Sequence, residues 1–179
     1  MNAGAIMTGI LLCTALAGPL SAQELTGDTR LACEAILCLS SSVRPGECNP
    51  SLDRYYGINK KKWSDTVKAR KSFLNLCPTA SADSRMQSLV NAMASGAGRC
   101  DAASLNVTLS SGDEYGSTIS NRMPDYCGIY YNHEYTDLID SMPVYVGVPN
   151  LGGFWTTKAK YATALRQYNQ NLQNRWYGD

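Results

Sequence analysis

The one histidine of this chain stands in a spacing that is known from metal chemistry. His133, Glu134 and Asp137 have the spacing of the zinc-binding helix of metalloproteases, with aspartate in place of the second histidine. On a helix, residues 133 and 137 would share one face, and Glu134 could act as a general base. The chain offers no second histidine, and its cysteines are expected in disulfides. We therefore expect His133 to be structural and expect no metal site.

Two other arrangements could support catalysis. Cys127 and His133 could form a nucleophile and a base, but their six-residue separation matches no recognised arrangement, and oxidation would disable the thiol. Glu34 and Glu47 could supply the two carboxyls of a cell-wall hydrolase, yet no pattern places them at the separation that this reaction needs. We expect no catalytic residues, no cofactor and no small-molecule substrate, and keep a peptidoglycan-cleaving hydrolase as the alternative function.

The remaining candidates are residues for contact with partners. Lys60, Lys61, Lys62 and Trp63 form a basic cluster that could bind acidic lipid, DNA or an acidic protein patch. A second group is aromatic, since Tyr and Trp often anchor protein contacts, and the alternative is that its rings complete the core. Its members are Tyr130, Tyr131, Tyr145, Phe154 and Trp155. The net charge of +1 predicts no bulk attraction to nucleic acid, so a membrane- or DNA-binding module is a further alternative.

The beginning of the chain indicates export. Residues 1–22 contain no charged side chain, and their apolar run, residues 10–17, is followed by small residues that end at Ala22. This order is typical of a cleaved signal peptide, and we expect residues 23–179 to form a single soluble domain without a transmembrane segment. Removing the signal removes Cys13, which leaves six cysteines. An even number of cysteines in an exported chain favours structural disulfides.

The helical pattern suggests which cysteines pair. Cys33 and Cys38 point about 140° apart on a regular helix and cannot bond to each other. Cys38 lies just before the turn that carries Cys48, and an antiparallel second helix would bring Cys77 to Cys33. The hypothesis is therefore that the pairs are Cys33–Cys77, Cys38–Cys48 and Cys100–Cys127, with the other connectivities of six cysteines still open.

The elements that must position these residues are mostly helices. Amphipathic patterns predict a helix with Asp28 as N-cap, and further helices over residues 63–77, 84–95 and 158–176. The last of these needs a surface to cover, and the N-terminal pair of helices is expected to provide it. Residues 102–123 read as loop with one short helical turn. A small β-ribbon is expected between residues 129–131 and 144–146. The predicted class is a mainly α, disulfide-stapled domain with a small β-ribbon element.

Three segments carry a family resemblance. They are LTGDTRLACEAILCLSSSVRPGECNPSLDRYYGI, WSDTVKARKSFLNLCP and PVYVGVPNLGGFW, with the cysteine spacing through Leu76, Cys77 and Pro78 as the most specific part. Together they resemble the TrbM/KikA family of conjugal-transfer proteins, which accompany type IV secretion systems. The resemblance implies a periplasmic accessory component of plasmid transfer, with possible cell-surface association. Its implied partners are other envelope components of the transfer apparatus, and it brings no catalytic residues with it.

Overall fold

The fold is given by a computed structural model that describes residues 25–113 and 116–177. The expected signal peptide, Cys13 and the expected cleavage after Ala22 lie outside the described residues. The helices are α1 (Gly27–Ser40), α2 (Asn49–Tyr56), α3 (Trp63–Leu74), α4 (Ser84–Gly96), α5 (Ala102–Thr108), α6 (Asp125–Tyr131) and α7 (Tyr161–Tyr177). The strands are β1 (Ser110–Asp113), β2 (Gly116–Ile119), β3 (Val144–Val146) and β4 (Phe154–Thr156). The predicted class, a mainly helical domain with small β elements and three paired sets of cysteines, is confirmed.

The N-cap of the first helix lies two residues before the predicted one. Thr26 occupies the N-cap in an extended conformation, so Asp28 is not the N-cap but lies in the first turn. The Asp28 carboxylate there accepts hydrogen bonds from Arg54 of α2, with a shortest distance of 2.7 Å. The hydrogen bond from Arg54 lowers the pKa of Asp28. This ion pair therefore ties the start of α1 to α2, in addition to the favourable position of an acid at a helix N-terminus.

Helix α2 was not predicted; the sequence pattern indicated only a turn with Cys48 between the first helix and the helix that begins at residue 63. Pro50 stands in its first turn, where the missing amide hydrogen of proline costs nothing. Leu52 and Tyr55, three residues apart, turn one face into the core. α2 packs on α1, and α3 also contacts α1. The predicted neighbourhood of the start of α1 and the end of α3 is nevertheless present, since Cys33 is bonded to Cys77.

The three disulfides join the same cysteines that the helical geometry suggested. Cys33–Cys77 links α1 to the residues that follow α3, and Cys38–Cys48 closes the turn between α1 and α2. Cys100–Cys127 links the segment after α4 to α6. The sulfur bonds therefore connect elements that also share the main core, which is formed chiefly by α1 to α4 and α6.

The two β-ribbons differ from the predicted one. Residues 129–131 belong to α6, so the pairing of residues 129–131 with 144–146 was wrong. β3 pairs instead with β4, with Tyr145 opposite Trp155, across a turn that contains Gly152 at φ +84°. β1 and β2 form a second antiparallel hairpin, in the stretch that was expected to be loop. Both hairpins are local in sequence, and neither joins distant parts of the chain.

Helix α7 packs on the β3–β4 ribbon. This differs from the expectation that it would cover the N-terminal helices. Its Ala164 and Tyr168 form a small second core with Val146. A Cβ on Gly147, where φ is +83°, would lie 2.3 Å from the Tyr168 ring, so only glycine lets the ring approach. The Tyr168 hydroxyl accepts a hydrogen bond from the Val148 amide at 3.1 Å. Within residues 25–113 and 116–177, none of the helices combines the length and apolar character needed to cross a bilayer.

Candidate functional site

The residues of the zinc-like spacing have structural partners. α6 ends at Tyr131, so residues 133–137 do not form the helix that the metal motif requires. His133 Nδ1 accepts a hydrogen bond from the Tyr135 amide at 3.2 Å, and Glu134 forms an ion pair with Arg85 at 3.4 Å. Asp137 forms a backbone bridge to Ser41. In the part of the chain that the structure describes, no cluster of potential metal ligands is formed.

The other candidates for catalysis are Cys127, Glu34 and Glu47. Cys127 is fully buried and bonded to Cys100, so it offers no thiolate. Glu34 lies 3.6 Å from Arg30, one helical turn away on α1. Glu47 lies in the turn that Cys38–Cys48 closes. Cys127 and Glu34 therefore contribute a cross-link and an ion pair to the scaffold, whereas Glu47 is exposed.

Most of the aromatic candidates lie in the interior. Tyr130 is 3 % exposed, Tyr131 is 7 % exposed and Trp155 is 5 % exposed. The Tyr130 hydroxyl donates to the Leu39 carbonyl at 2.6 Å, and the Tyr131 hydroxyl donates to the Cys100 carbonyl at 3.0 Å. Trp155 donates from Nε1 to the Ser120 carbonyl. These three rings complete the core, which was the alternative interpretation, and they present no surface to a partner in this fold.

Tyr145 and Phe154 are half-buried and also have internal partners. The Tyr145 hydroxyl donates to the Ile119 carbonyl at 2.7 Å, which ties β3 to β2. The Tyr145 ring meets Trp155 edge-on, with 5.3 Å between centroids. Phe154 packs against the second core beneath α7. The aromatic group therefore connects the ribbons to the helices.

Burial changes the acidity of the interior tyrosines. Burial raises the pKa of Tyr55 and of Tyr130 well above the ordinary value of 10.0, although Arg70 beside Tyr55 and Arg44 near Tyr130 act in the opposite direction. Burial also raises the pKa of Tyr131 to about 12. In each case the folded state keeps the phenolic proton at a pH where the unfolded chain has begun to release it.

This acidity predicts a loss of stability in alkali. Above pH 10 the unfolded chain binds fewer protons than the folded one, so the free energy of unfolding falls as pH rises. Each of these tyrosines is expected to contribute a slope of up to about 1.4 kcal/mol per pH unit until its folded-state pKa is reached. Urea unfolding at a series of pH values measures the slope, and tyrosinate absorbance shows when the hydroxyls ionise.

The variant Tyr130→Phe provides the control for that measurement. It keeps the ring but removes one buried hydroxyl, so the alkaline slope should decrease by the share of one tyrosine. Stability at neutral pH should fall by about 1 kcal/mol, because the bond to Leu39 is lost. Ionisation of Tyr55, Tyr130 and Tyr131 near pH 10 in the still-folded protein would contradict the assignment.

The basic cluster, in contrast, is exposed. Lys60, Lys61 and Lys62 lie in the loop between α2 and α3, which we call the basic loop (residues 57–62). The backbone of this loop is fixed at two points. The Lys60 amide donates to Thr66 Oγ1 at 2.8 Å, and the Thr66 amide donates to the Lys62 carbonyl at 3.1 Å. Three exposed lysine side chains therefore extend from a backbone that hydrogen bonds hold in place.

Trp63, the fourth member of the predicted cluster, is held between two arginines. Arg70 lies 5.4 Å from the centre of its ring and Arg99 lies 4.5 Å from it. Arg70 also faces Tyr55 and Tyr56, and Arg99 faces Tyr126. We call these six residues the arginine–aromatic stack. Because two guanidinium groups already lie over its indole, Trp63 acts as part of the scaffold next to the basic loop.

Arg70 is the buried member of this stack. Its side chain is 6 % exposed, and it donates to the Ile58 carbonyl at 3.2 Å and to the Ala97 carbonyl at 3.1 Å. It therefore joins the basic loop to the residues after α4. The sequence contained a signal for this role, since Arg70 falls on the same face of α3 as Trp63 and Leu74. A cation on an apolar face needs polar partners, here carbonyl groups.

A cleft of about 440 Å³ opens beside the basic loop, along α3. We call it the α3 cleft. Besides the polar residues Asn59 and Ser72, it is lined by the basic residues Arg54 and Lys60, which we call its rim, and by a group of apolar residues, which we call its floor. The floor is formed by Ile58, Ala69, Phe73 and Leu76. The sequence analysis missed this site, although residues 69, 72, 73 and 76 repeat at three- and four-residue steps and so form a second stripe on α3.

A second cavity, of about 230 Å³, lies between the ends of α2 and α4, helix α6 and the loop that follows α1. Arg44 and Asp101 both line it, so its walls carry charges of opposite sign. Tyr130 and Tyr131 also line it, and their hydroxyls are already donated to backbone carbonyls. The charged residues that line this cavity therefore favour neither an anion nor a cation. Those that line the α3 cleft, Arg54 and Lys60, are both basic.

Comparison with known proteins identifies the family. The profile of the TrbM family matches residues 24–169, which includes all six cysteines of the disulfides, the basic loop and most of the described elements. No curated protein gives a significant match to the chain. No solved structure gives one either. The chain belongs to the TrbM family, and this membership implies a role associated with conjugal transfer.

Proposed function

We propose that this protein is a non-enzymatic, periplasmic accessory component of the conjugative type IV secretion apparatus. In this role it acts through contacts with other envelope components. The observation that carries the proposal is the basic loop, which presents three lysines beside an open cleft on a scaffold fixed by disulfides and by the arginine–aromatic stack. Such an exposed and anchored surface is suited to recognition of another protein.

The proposed compartment is supported by the cysteines. Disulfides persist in oxidising compartments, which include the bacterial periplasm. The three bonds here connect α1, α3, α4 and α6 to their neighbours. The expected signal peptide over residues 1–22 is consistent with the same compartment.

The proposed absence of catalysis is supported by what the reactive groups do. Cys127 is in a disulfide, Glu34 pairs with Arg30, and Glu134 pairs with Arg85. The described tyrosines with raised pKa values keep their protons, and Tyr130 and Tyr131 donate them to carbonyls. Each of these groups therefore has a structural role.

The test is a transfer assay in donor cells. Deletion of the gene from a conjugative element should lower transfer frequency, and the complete chain supplied in trans should restore it. The mature protein should be recovered in the periplasmic fraction. A photo-crosslinking amino acid in place of Lys61 should capture a component of the transfer apparatus in conjugating cells, whereas the same residue in place of Lys160 on the far element preceding α7 should not.

Two results would overturn the proposal. Unchanged transfer after deletion would remove the accessory role. Clearing of a cell-wall suspension by the purified protein, lost in Glu34→Gln, would establish the peptidoglycan hydrolase instead.

A further inference from the structure

We propose that the α3 cleft binds an extended, acidic protein segment that inserts one large apolar side chain. The inference rests on the proposed function through protein contacts and specifies the surface and the chemistry of the partner. It combines three observations: an apolar floor, a rim of Arg54 and Lys60 next to the exposed lysines Lys61 and Lys62, and a backbone that is fixed before binding. None of the three is sufficient alone, and each excludes a different kind of partner.

The floor defines the anchor. Ile58 is half-buried and Leu76 is 45 % exposed, so apolar surface is open to solvent inside the cleft. Phe73 is only 4 % exposed, and the Arg54 guanidinium lies over its ring at 5.1 Å. The volume of about 440 Å³ falls in the range of small binding sites and has room for a large side chain. Covering this surface removes apolar area from water, and we expect that burial to supply the affinity.

The rim defines the charge of the partner. Lys60 lines the cleft, Lys61 and Lys62 follow it in the basic loop, and all three are exposed. The ion pairs within residues 25–113 and 116–177 do not include any of these lysines. Across the cleft, Arg54 is partly engaged by Asp28. A partner with several carboxylates would therefore meet uncompensated positive charge at this edge.

The loop is ordered by bonds from three sides. Arg70 donates to the Ile58 carbonyl, and the Ile58 amide donates to the Tyr55 carbonyl at 3.2 Å. Thr66 binds the Lys60 amide. Because these contacts exist without a partner, docking does not require the loop backbone to be ordered, and less free energy is lost on binding.

The same geometry disfavours the other anionic surfaces. DNA presents phosphates but no apolar side chain that would fill the floor, and its aromatic bases would need an available ring. The Trp63 ring already has the guanidinium groups of Arg70 and Arg99 over it, at 5.4 Å and 4.5 Å from its centre, so it is a poor stacking platform. A membrane requires apolar groups that protrude, whereas Phe73 is recessed and only 4 % exposed. A peptide with carboxylates around an apolar anchor satisfies both the rim and the floor.

Fluorescence anisotropy with three labelled peptides tests the inference on the mature protein. The first alternates Asp and Glu around one Phe, the second replaces that Phe by Ser, and the third replaces the acids by Asn and Gln. We expect the first to bind at least about tenfold more tightly than either of the others. Equal binding of the first and second peptides would overturn the proposal, since the floor would then play no part.

Variants of the protein locate the binding. The triple variant Lys60→Glu, Lys61→Glu, Lys62→Glu and the single variant Leu76→Ser should each weaken binding of the first peptide by about tenfold. The control is the triple variant Lys160→Glu, Arg166→Glu, Arg175→Glu, which makes the same change in charge with exposed residues at or near α7. It should bind as the wild type does. Equal loss in both triple variants would overturn the proposal, because only the overall charge would matter.

Duplex DNA and vesicles that contain phosphatidylserine complete the comparison. Tighter binding of either, lost in the lysine triple variant, would establish a nucleic-acid or membrane surface in place of the peptide site. The transfer assay separates this inference from the proposed function. If deletion abolishes transfer but folded Leu76→Ser and the lysine triple variant restore it fully, the cleft inference fails and the accessory role stands. If both variants fail to restore transfer while the α7 control succeeds, the cleft is the contact.

Discussion

Replacement of both Cys33 and Cys77 by alanine is expected to lower the free energy of unfolding by about 4 kcal/mol. The bond joins residues 44 positions apart, the longest separation among the three disulfides of the described chain. Because the entropy of a closed loop grows with the logarithm of its length, its loss should free the unfolded chain most. Urea denaturation monitored by circular dichroism measures this change. For a domain of ordinary stability it is a large share of the total.

The Cys38–Cys48 pair provides the matched control. Its separation is 10 residues, for which the same relation gives about 3 kcal/mol. The Cys100–Cys127 pair, with a separation of 27, should fall between the two. A larger loss for the shortest loop would show that packing around the sulfur atoms, and not loop closure, sets the contribution of these bonds.

Arg70→Met is expected to destabilise the fold by about 3 kcal/mol. Methionine fills a similar length of buried space but cannot donate to the carbonyls of Ile58 and Ala97. Ala97 is 1 % exposed, so its carbonyl would be left without a partner in the interior. Contacts with the rings of Tyr55 and Trp63 would also lose their cationic character. The shift in the urea midpoint at constant slope measures the loss.

Arg99→Met tests whether the burial of Arg70 is the reason for the large loss of stability expected in Arg70→Met. Arg99 also lies over the Trp63 ring but is half-exposed, so we expect a loss of about 0.5–1 kcal/mol. Arg70→Lys should recover only part of the stability, because an ammonium group does not reproduce the planar fork of guanidinium donors. Similar losses for Arg70→Met and Arg99→Met would contradict the structural role that we assign to Arg70.

The parts of the fold that were predicted correctly depend on local rules. Helical rotation separates Cys33 from Cys38, and the proline and glycine at residues 45 and 46 mark the end of the first helical unit. α3 and α4 begin at the predicted residues, and Asp83 caps α4 by accepting from the amides of Arg85 and Met86. α2 was missed because its eight residues offer only Leu52 and Tyr55 as an apolar face, too few for a periodic signal.

The errors concern which elements meet. β1 and β2 consist of small and polar residues and are joined by hydroxyl contacts such as Ser110 with Ser117, so no alternation of apolar residues could reveal them. β3 was recognised as a strand, but its partner was wrong because pairing depends on the turn that follows. The pattern of α7 indicates that one face of the helix is covered, but it does not identify the element that covers it. The close approach of Tyr168 to the ribbon depends on Gly147, which has no side chain.

The candidate site likewise has one part that the sequence predicts and one part that only the fold reveals. The run of lysines is visible in the sequence, because charge needs no fold to be recognised. The floor of the α3 cleft was not, since Ile58 comes from the loop and Phe73 from the helix. Tyr130 and Trp155 look like interface residues by type, and only their burial and hydrogen bonds assign them to the core.

The hydrogen bond from Tyr130 to the Leu39 carbonyl has a consequence for the order of assembly. It spans 91 positions, and contacts of such separation close late because a long loop must first be brought together. The bond between Cys38 and Cys48 needs only its own turn and can close early. We therefore expect α1 to be held first by partners that are close in sequence. Its buried face is then completed only after α6 has packed against it.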